Sequence, residues 1–437
     1  MSARRVPMAA RVAPVALAAA ACVLGGSSSS AAHDEPPWFD RDDVPLAEGL
    51  RSVVPKRHDV ALYTTPGAGT PRRGSVLGSA RLPFFGTRQA PGCTGRWLLV
   101  GPLAWVCSDV ADLSYEEPLR PEPPRNPSGL PFRYYFAARD GAYGYRNLPE
   151  VGEGTPDLDL QPGFGVALVG ERSTPSGERY GLSRSGYYIP LHDLVAARTS
   201  AFHGERLDPS SAAPLDLAWV LPERAPVLAA PRAGPARPGQ SQRVRFEVVR
   251  VTKREGAFLR VSAEGVAPEA WLRASDVARP TQAPPPAEVG GAQATQRWID
   301  VELASQTLVA YQGTRPVFAT LVSTGKGPPG SELATHPGVH RIWVKLLASK
   351  MDNLERDDVD KHYSLEDVPW VQFFDKGIAL HGVFWHQAFG RVHSHGCVNL
   401  APLDAELLFG FTGPHLPAGW SAVFPAPIEP GTVVRVR

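Results

Sequence analysis

The chain has 437 residues, enough for two to four domains at roughly 100–200 residues each. Its 45 basic and 44 acidic residues leave a net charge of +1, which removes any charge argument for nucleic acid or another polyanion as partner. Hydrophobic content of 43% is ordinary for a globular protein, and the 45 prolines and 42 glycines favour turn-rich β structure with stiff connections.

The chain opens with Arg4, Arg5 and Arg11 ahead of an apolar run, 12–24, followed by Gly25, Gly26 and four serines. A basic flank, a short apolar stretch and small residues after it read as an export signal. The run is shorter than the ~20 residues that span a bilayer, so a permanent transmembrane anchor is not expected. Two endings are open. Cleavage after Ala32, with Ser30 and Ala32 in the small-residue positions, gives a signal peptide of 1–32. Lipid attachment at Cys22 is the alternative, although Ala19 stands where a lipoprotein box carries leucine. Either ending places the protein outside the cytoplasm, in the periplasm or cell envelope.

Short alternating strands follow, punctuated by proline. Val60 to Tyr63, Trp97 to Val100 and Ala104 to Cys107 form one set, ending in Ser108-Asp109. The stretches 181–194 and 256–277 end in a similar way, each with a strand, a turn, an aromatic-bearing strand and an Asp-containing exit. Three small SH3-like β-barrel modules are therefore expected, at 45–116, 132–200 and 215–279, the competing reading being one irregular β-rich region. Proline-rich segments at 117–131, 207–214 and 280–295 read as semi-rigid linkers that space modules rather than pack into them.

Four cysteines are present. With Cys22 removed or lipidated, Cys93 and Cys107 lie in one short β-rich segment, and an exported protein can oxidise them to a disulfide; two buried free thiols are the alternative. Cys397 is then the unpaired thiol.

From 296 to the C-terminus the β signal strengthens. Trp298 to Leu303, Ser305 to Tyr311 and Pro316 to Ser323 alternate as an antiparallel set, Val339 to Leu346 forms a further strand, and Thr432 to Val436 closes the chain. One short helix is expected over Pro402 to Phe409, with proline near its first turn and Gly410 ending it.

The segment 380–400, LHGVFWHQAFGRVHSHGCVNL, carries the chemistry. A thiol with imidazoles close by is the minimum equipment for acyl transfer: the thiolate attacks, and an imidazole takes its proton and later returns it. Cys397 is the nucleophile candidate. Backbone N–H groups near Gly396 and Cys397 suit an oxyanion. One of His381, His386, His393 and His395 should be the base, and the spacing does not choose among them. Zinc is the alternative reading of four histidines and a cysteine, but the CxxC-like or HxxxH-like pairs of a structural site are absent. No metal and no cofactor is expected.

This segment resembles the signature of L,D-transpeptidases with a YkuD-type catalytic domain. The lead-in is similar too, at Ile299-Asp300-Val301, Gln306-Thr307-Leu308, Val322-Ser323-Thr324-Gly325, Gly338-Val339 and Ile342-Trp343. The likeness covers 296–437 and implies a β-sandwich with one or two short helices. By motif position it implies that Cys397 is acylated and that His381 is the base, oriented by the backbone carbonyl of Gly382. Ser394, His395, Gly396 and Asn399 would shape the pocket and the oxyanion hole. Trp385 would line the substrate channel, with Tyr363 and Met351 in a flap over it. The usual Thr-Pro-x-Gly order reads Thr335-His336-Pro337-Gly338 here, which leaves that turn to be determined. The activity implied is peptidoglycan 3→3 cross-linking by a monomer, with stem peptides as acyl donor and acceptor and wall glycan or peptide on the SH3-like modules. Hydrolysis of the same thioester, protein attachment to the wall and a non-catalytic wall-binding scaffold are the alternatives.

Overall fold

A computed structural model describes residues 48–437 except 123–125, 149–153, 209, 233, 235–241, 264–269, 291–294 and 356–361. The export segment, with Cys22 and Ala32, lies outside the described residues.

The C-terminal third is a sandwich of two sheets. One runs Arg315–Leu321, Thr307–Gln312, Arg297–Glu302, Val433–Val436, Gly338–Arg341 in space. The first three strands are the antiparallel set expected from their alternation, but the C-terminal strand lies parallel to Arg297–Glu302, with Ile299 opposite Val434. The facing sheet holds Val344–Asp352, Ser364–Asp375, Ile378–Gly382 and Val398–Leu400. Ile299, Val301 and Leu308 from the first sheet meet Val368, Val371, Leu380 and Val398 from the second in one apolar core. The opposite face of Arg297–Glu302 is also covered: Trp298 is fully buried and stacks on Tyr311 with ring centres 4.3 Å apart. Both faces being covered explains why the middle of this strand is apolar on both sides, at Trp298, Ile299 and Val301; Asp300 is the buried exception, its carboxylate held by Arg435 at 2.6 Å and Arg437 at 2.9 Å.

Two expectations are corrected here. The single strand expected over Val339 to Leu346 is two, Gly338–Arg341 and Val344–Asp352, in different sheets. The change of partner takes place between neighbours: the Ile342 N–H donates to the Thr432 carbonyl and the Trp343 N–H to the Phe373 carbonyl. The helix runs Pro402–Phe411, through Gly410 rather than ending there. Its C-terminal carbonyls have a dedicated donor instead of a glycine cap. Lys345, wholly buried, reaches the carbonyls of Phe409 at 2.5 Å and Thr412 at 2.8 Å.

Ahead of this domain the strands gather into three β units, each around its own apolar cluster. Leu62, Leu98 and Val106 centre the first, Val166, Leu168 and Ile189 the second, Val249, Val261 and Leu272 the third. A disulfide joins Cys93 and Cys107 in the first.

None of the three is a bead on a spacer. Asp42–Arg437 is one compact unit, and the strand Arg72–Val76 pairs with Trp420–Val423, so Trp420 and Val423 complete the first unit's core. Phe202 and Phe246, flanking the third unit's first strand, stack about Phe389 of the C-terminal domain. The proline-rich segments, expected to space domains, are packed as well. Leu130 sits in the main core, Leu207, Ala283 and Val289 in the adjoining one. Extended, proline-bearing chain cannot satisfy its own backbone, but it can lay alternate side chains into a neighbouring groove, and these segments carry an apolar residue wherever they do so.

Candidate active site

Cys397 and His381 are brought together by a parallel pair of short strands. Ile378–Gly382 runs beside Val398–Leu400, with Leu380 opposite Val398 and His381 opposite Asn399. Side chains alternate along a strand, so His381, Asn399 and Cys397 project to one face. That face floors a cleft of about 670 Å³, in the size range of small-molecule and peptide sites. Trp385, Tyr363, Met351, Ser394 and His395 also line it, so every substrate-binding residue expected from the motif meets at one place.

His381 is buried, and its Nδ1 lies 3.1 Å from the carbonyl oxygen of Gly382. Nδ1–H donates there, which leaves Nε2 as the basic nitrogen. Among the described residues no carboxylate supplies this orientation; a backbone oxygen does. The Trp385 ring stacks over the imidazole at 5.8 Å, and Tyr363 stacks over His395 at the same separation.

The turn carrying the thiol is built for glycine. Gly396 has φ of 125°, a left-handed conformation closed to ordinary side chains, and a Cβ would meet the carbonyl oxygens of Glu332 and Ala334 at 3.4 Å. Ser394 Oγ accepts the Gly396 N–H at 3.1 Å and donates to the Cys397 carbonyl. The expectation that the Gly396 N–H faces an oxyanion is therefore altered: this donor is spent inside the turn. Thr335 Oγ donates to the Gly396 carbonyl at 2.6 Å and accepts the Gly325 N–H at 2.9 Å. Thr335 thus places a hydroxyl under the turn that carries Cys397, a role with no advance signal in the motif.

Burial sets the protonation state. It pushes the Cys397 thiol up to about 11, partly offset by the Ala379 backbone N–H. It pushes His381 down to about 4 against the raising effect of the Gly382 carbonyl, and His386 down to about 3 with help from His393 and His381. Both shifts favour a neutral thiol beside a neutral imidazole.

His386, one of the four histidines the spacing left open, takes a different place. The Ala388 N–H donates to its Nδ1 at 3.1 Å, so its proton sits on Nε2. Nε2 lies 2.8 Å from the amide nitrogen of Asn399, while Asn399 Oδ1 is buried with no partner among the described residues. Two donors cannot face each other, and the network assigns the amide with Oδ1 against Nε2–H and its NH₂ in the unpartnered position.

The family model of the L,D-transpeptidase catalytic domain, YkuD, matches residues 296–436. This segment is a YkuD domain. It resembles a crystal structure of a mutant Enterococcus faecium L,D-transpeptidase at 22% identity and TM-score 0.25, covering 32% of this chain and 50% of that one. The chain thus spans about half the length of that relative. The catalytic domain of the E. faecium enzyme, solved by NMR, is 24% identical with TM-score 0.25, over 33% of this chain and 100% of that one. An L,D-transpeptidase from Stackebrandtia nassauensis is 25% identical with TM-score 0.22, over 35% and 59%. No curated protein matches the chain.

Proposed function

We propose that this protein is an exported peptidoglycan L,D-transpeptidase that forms 3→3 cross-links. The observation that carries the reading is the pairing of Cys397 with His381 on one face of a peptide-sized cleft, within a YkuD domain, with Nδ1 of His381 engaged by Gly382. The donor is a tetrapeptide stem. His381 Nε2 takes the thiol proton as sulfur attacks the carbonyl of the third residue, diaminopimelate. The bond to the terminal D-Ala breaks, and the leaving amine takes that proton from the imidazolium. The amine of a second stem then attacks the thioester and gives a proton to His381; the C–S bond breaks, Cys397 sulfur takes that proton back, and the amide-linked dimer departs. The sequence 1–32 brings the enzyme to this substrate in the periplasm or envelope, and the SH3-like reading of the N-terminal units supplies further contacts to wall glycan or peptide.

The test is product analysis by mass spectrometry with a purified tetrapeptide stem. Wild type should release D-Ala and yield a 3→3 dimer, and Cys397→Ala should yield neither while melting at the same temperature. Tripeptide acid without dimer would replace the transferase reading with a hydrolase.

A further inference from the structure

The strand Ser364–Asp375, which borders the cleft, leaves extended geometry at two non-glycine residues, Asp367 with φ of 52° and Trp370 with φ of 60°. Its register against Val344–Asp352 slips at the same place: Ser349 faces Val368, yet Met351 faces Leu365. Left-handed backbone at such residues persists only where surrounding contacts hold it. Both are held by chain N-terminal to the YkuD domain. Tyr134 Oη donates to the Asp367 carbonyl at 2.6 Å, and Arg184 pairs with the Asp367 carboxylate. Trp370 Nε1 donates to the Gly129 carbonyl at 2.6 Å. Just ahead of Asp367, Gly165 bridges Leu365 in parallel, and a Cβ at Gly165 would fall 2.9 Å from Leu365 Cδ2 and 3.5 Å from the rings of Phe136 and Phe384.

The same unit reaches the cleft itself. Phe136, Pro162 and Gly163 line it together with His381 and Cys397. Phe136 leans on Phe384, ring centres 5.7 Å apart, next to the Trp385 that covers the base. This wall is apolar and offers no side-chain donor. The charged pair on the cleft, Lys350 with Asp352, lies instead on the Val344–Asp352 strand.

We propose that the 132–200 unit is part of the active site: Phe136 and Pro162 form a specificity wall for an uncharged, methyl-bearing part of the stem peptide, one of its alanyl residues. The clamp on Asp367 and Trp370 holds the strand through which Met351, opposite Leu365, is linked by Gly165 to Phe136. The proposal rests on the transpeptidase reading above. The ionic groups of diaminopimelate match Lys350 and Asp352, which leaves the alanines to match Phe136 and Pro162.

The experiment is steady-state kinetics on the full chain with the tetrapeptide stem, for Phe136→Ala and Pro162→Glu, alongside alkylation of Cys397 by iodoacetamide. Each variant should raise KM about tenfold, as expected for one lost apolar contact, while the alkylation rate stays at the wild-type value. Pro162 is exposed, so Pro162→Glu carries the test if Phe136→Ala unfolds, as read by its thermal melt. Wild-type KM in Pro162→Glu would overturn the wall. If the wild type forms no acyl-enzyme with the tetrapeptide, the transpeptidase reading falls and this one with it; if it does and the variants match it, only the wall falls.

Discussion

His386 holds the amide of Asn399 through Nε2 at 2.8 Å, while its own Nδ1 is held by the Ala388 N–H at 3.1 Å. A backbone donor thereby dictates which way the Asn399 amide is turned. Replacing His386 by phenylalanine removes the tautomer lock and lets the amide rotate. Loss of that order beside the reacting thiol is expected to lower the acylation rate by about 10²-fold. His386→Gln, which keeps an N–H near the Nε2 position, should recover much of it. Stopped-flow acylation by a carbapenem reads both; equal rates in His386→Phe and wild type would remove His386 from the positioning of Asn399.

The protonation of the pair has its own signature. A thiol pushed up to about 11 beside an imidazole pushed down to about 4 leaves very little thiolate at neutral pH. Alkylation of Cys397 by iodoacetamide should then rise about tenfold per pH unit from pH 7 to pH 10, following the thiolate fraction. A plateau already reached at pH 8 would show that the free enzyme rests as thiolate and imidazolium.

Lys345 links stability to pH. Burial pushes its ammonium down to about 7, with Glu429 acting weakly in the opposite direction. The unfolded chain keeps the proton up to its ordinary value while the folded chain loses it earlier, so the unfolded state binds more protons in between. Stability is expected to rise as pH increases from about 7 towards 10. Lys345→Met should abolish that rise. It should also lower stability at pH 7 by about 1–3 kcal/mol, because the carbonyls of Phe409 and Thr412 lose their donor. Urea unfolding at pH 7 and pH 9.5 measures both effects.

Much of the catalytic third was legible in the chain. The alternation around Ile299, Leu308 and Phe318 reported strands because each places a side chain in the main core at every second step. The motif residues Cys397, His381 and Asn399 were legible because they crowd into two short strands. The break at Ile342-Trp343 was not: both sides of it are extended and apolar, and only the choice of hydrogen-bond partner distinguishes two strands from one. The proline-rich segments misled for a similar reason. Composition reports stiffness, not whether a neighbour offers a groove for Leu130 or Val289.

The order of residues alone pointed to the thiol of Cys397 and the histidines around it, to the proposed export segment and to the β character of the chain. These depend on residue types and short spacings, which the sequence holds directly. Only tertiary structure decided which imidazole atom is basic, that His386 serves Asn399, that Thr335 buttresses the Gly396 turn, and that Phe136 and Pro162 stand beside Cys397. Apart from the adjacent His381 and Gly382, those relationships join residues from 13 positions apart, at His386 and Asn399, to 261, at Phe136 and Cys397. Nothing local specifies them; they follow from how the sheets share edges and from which buried donors find acceptors when they do.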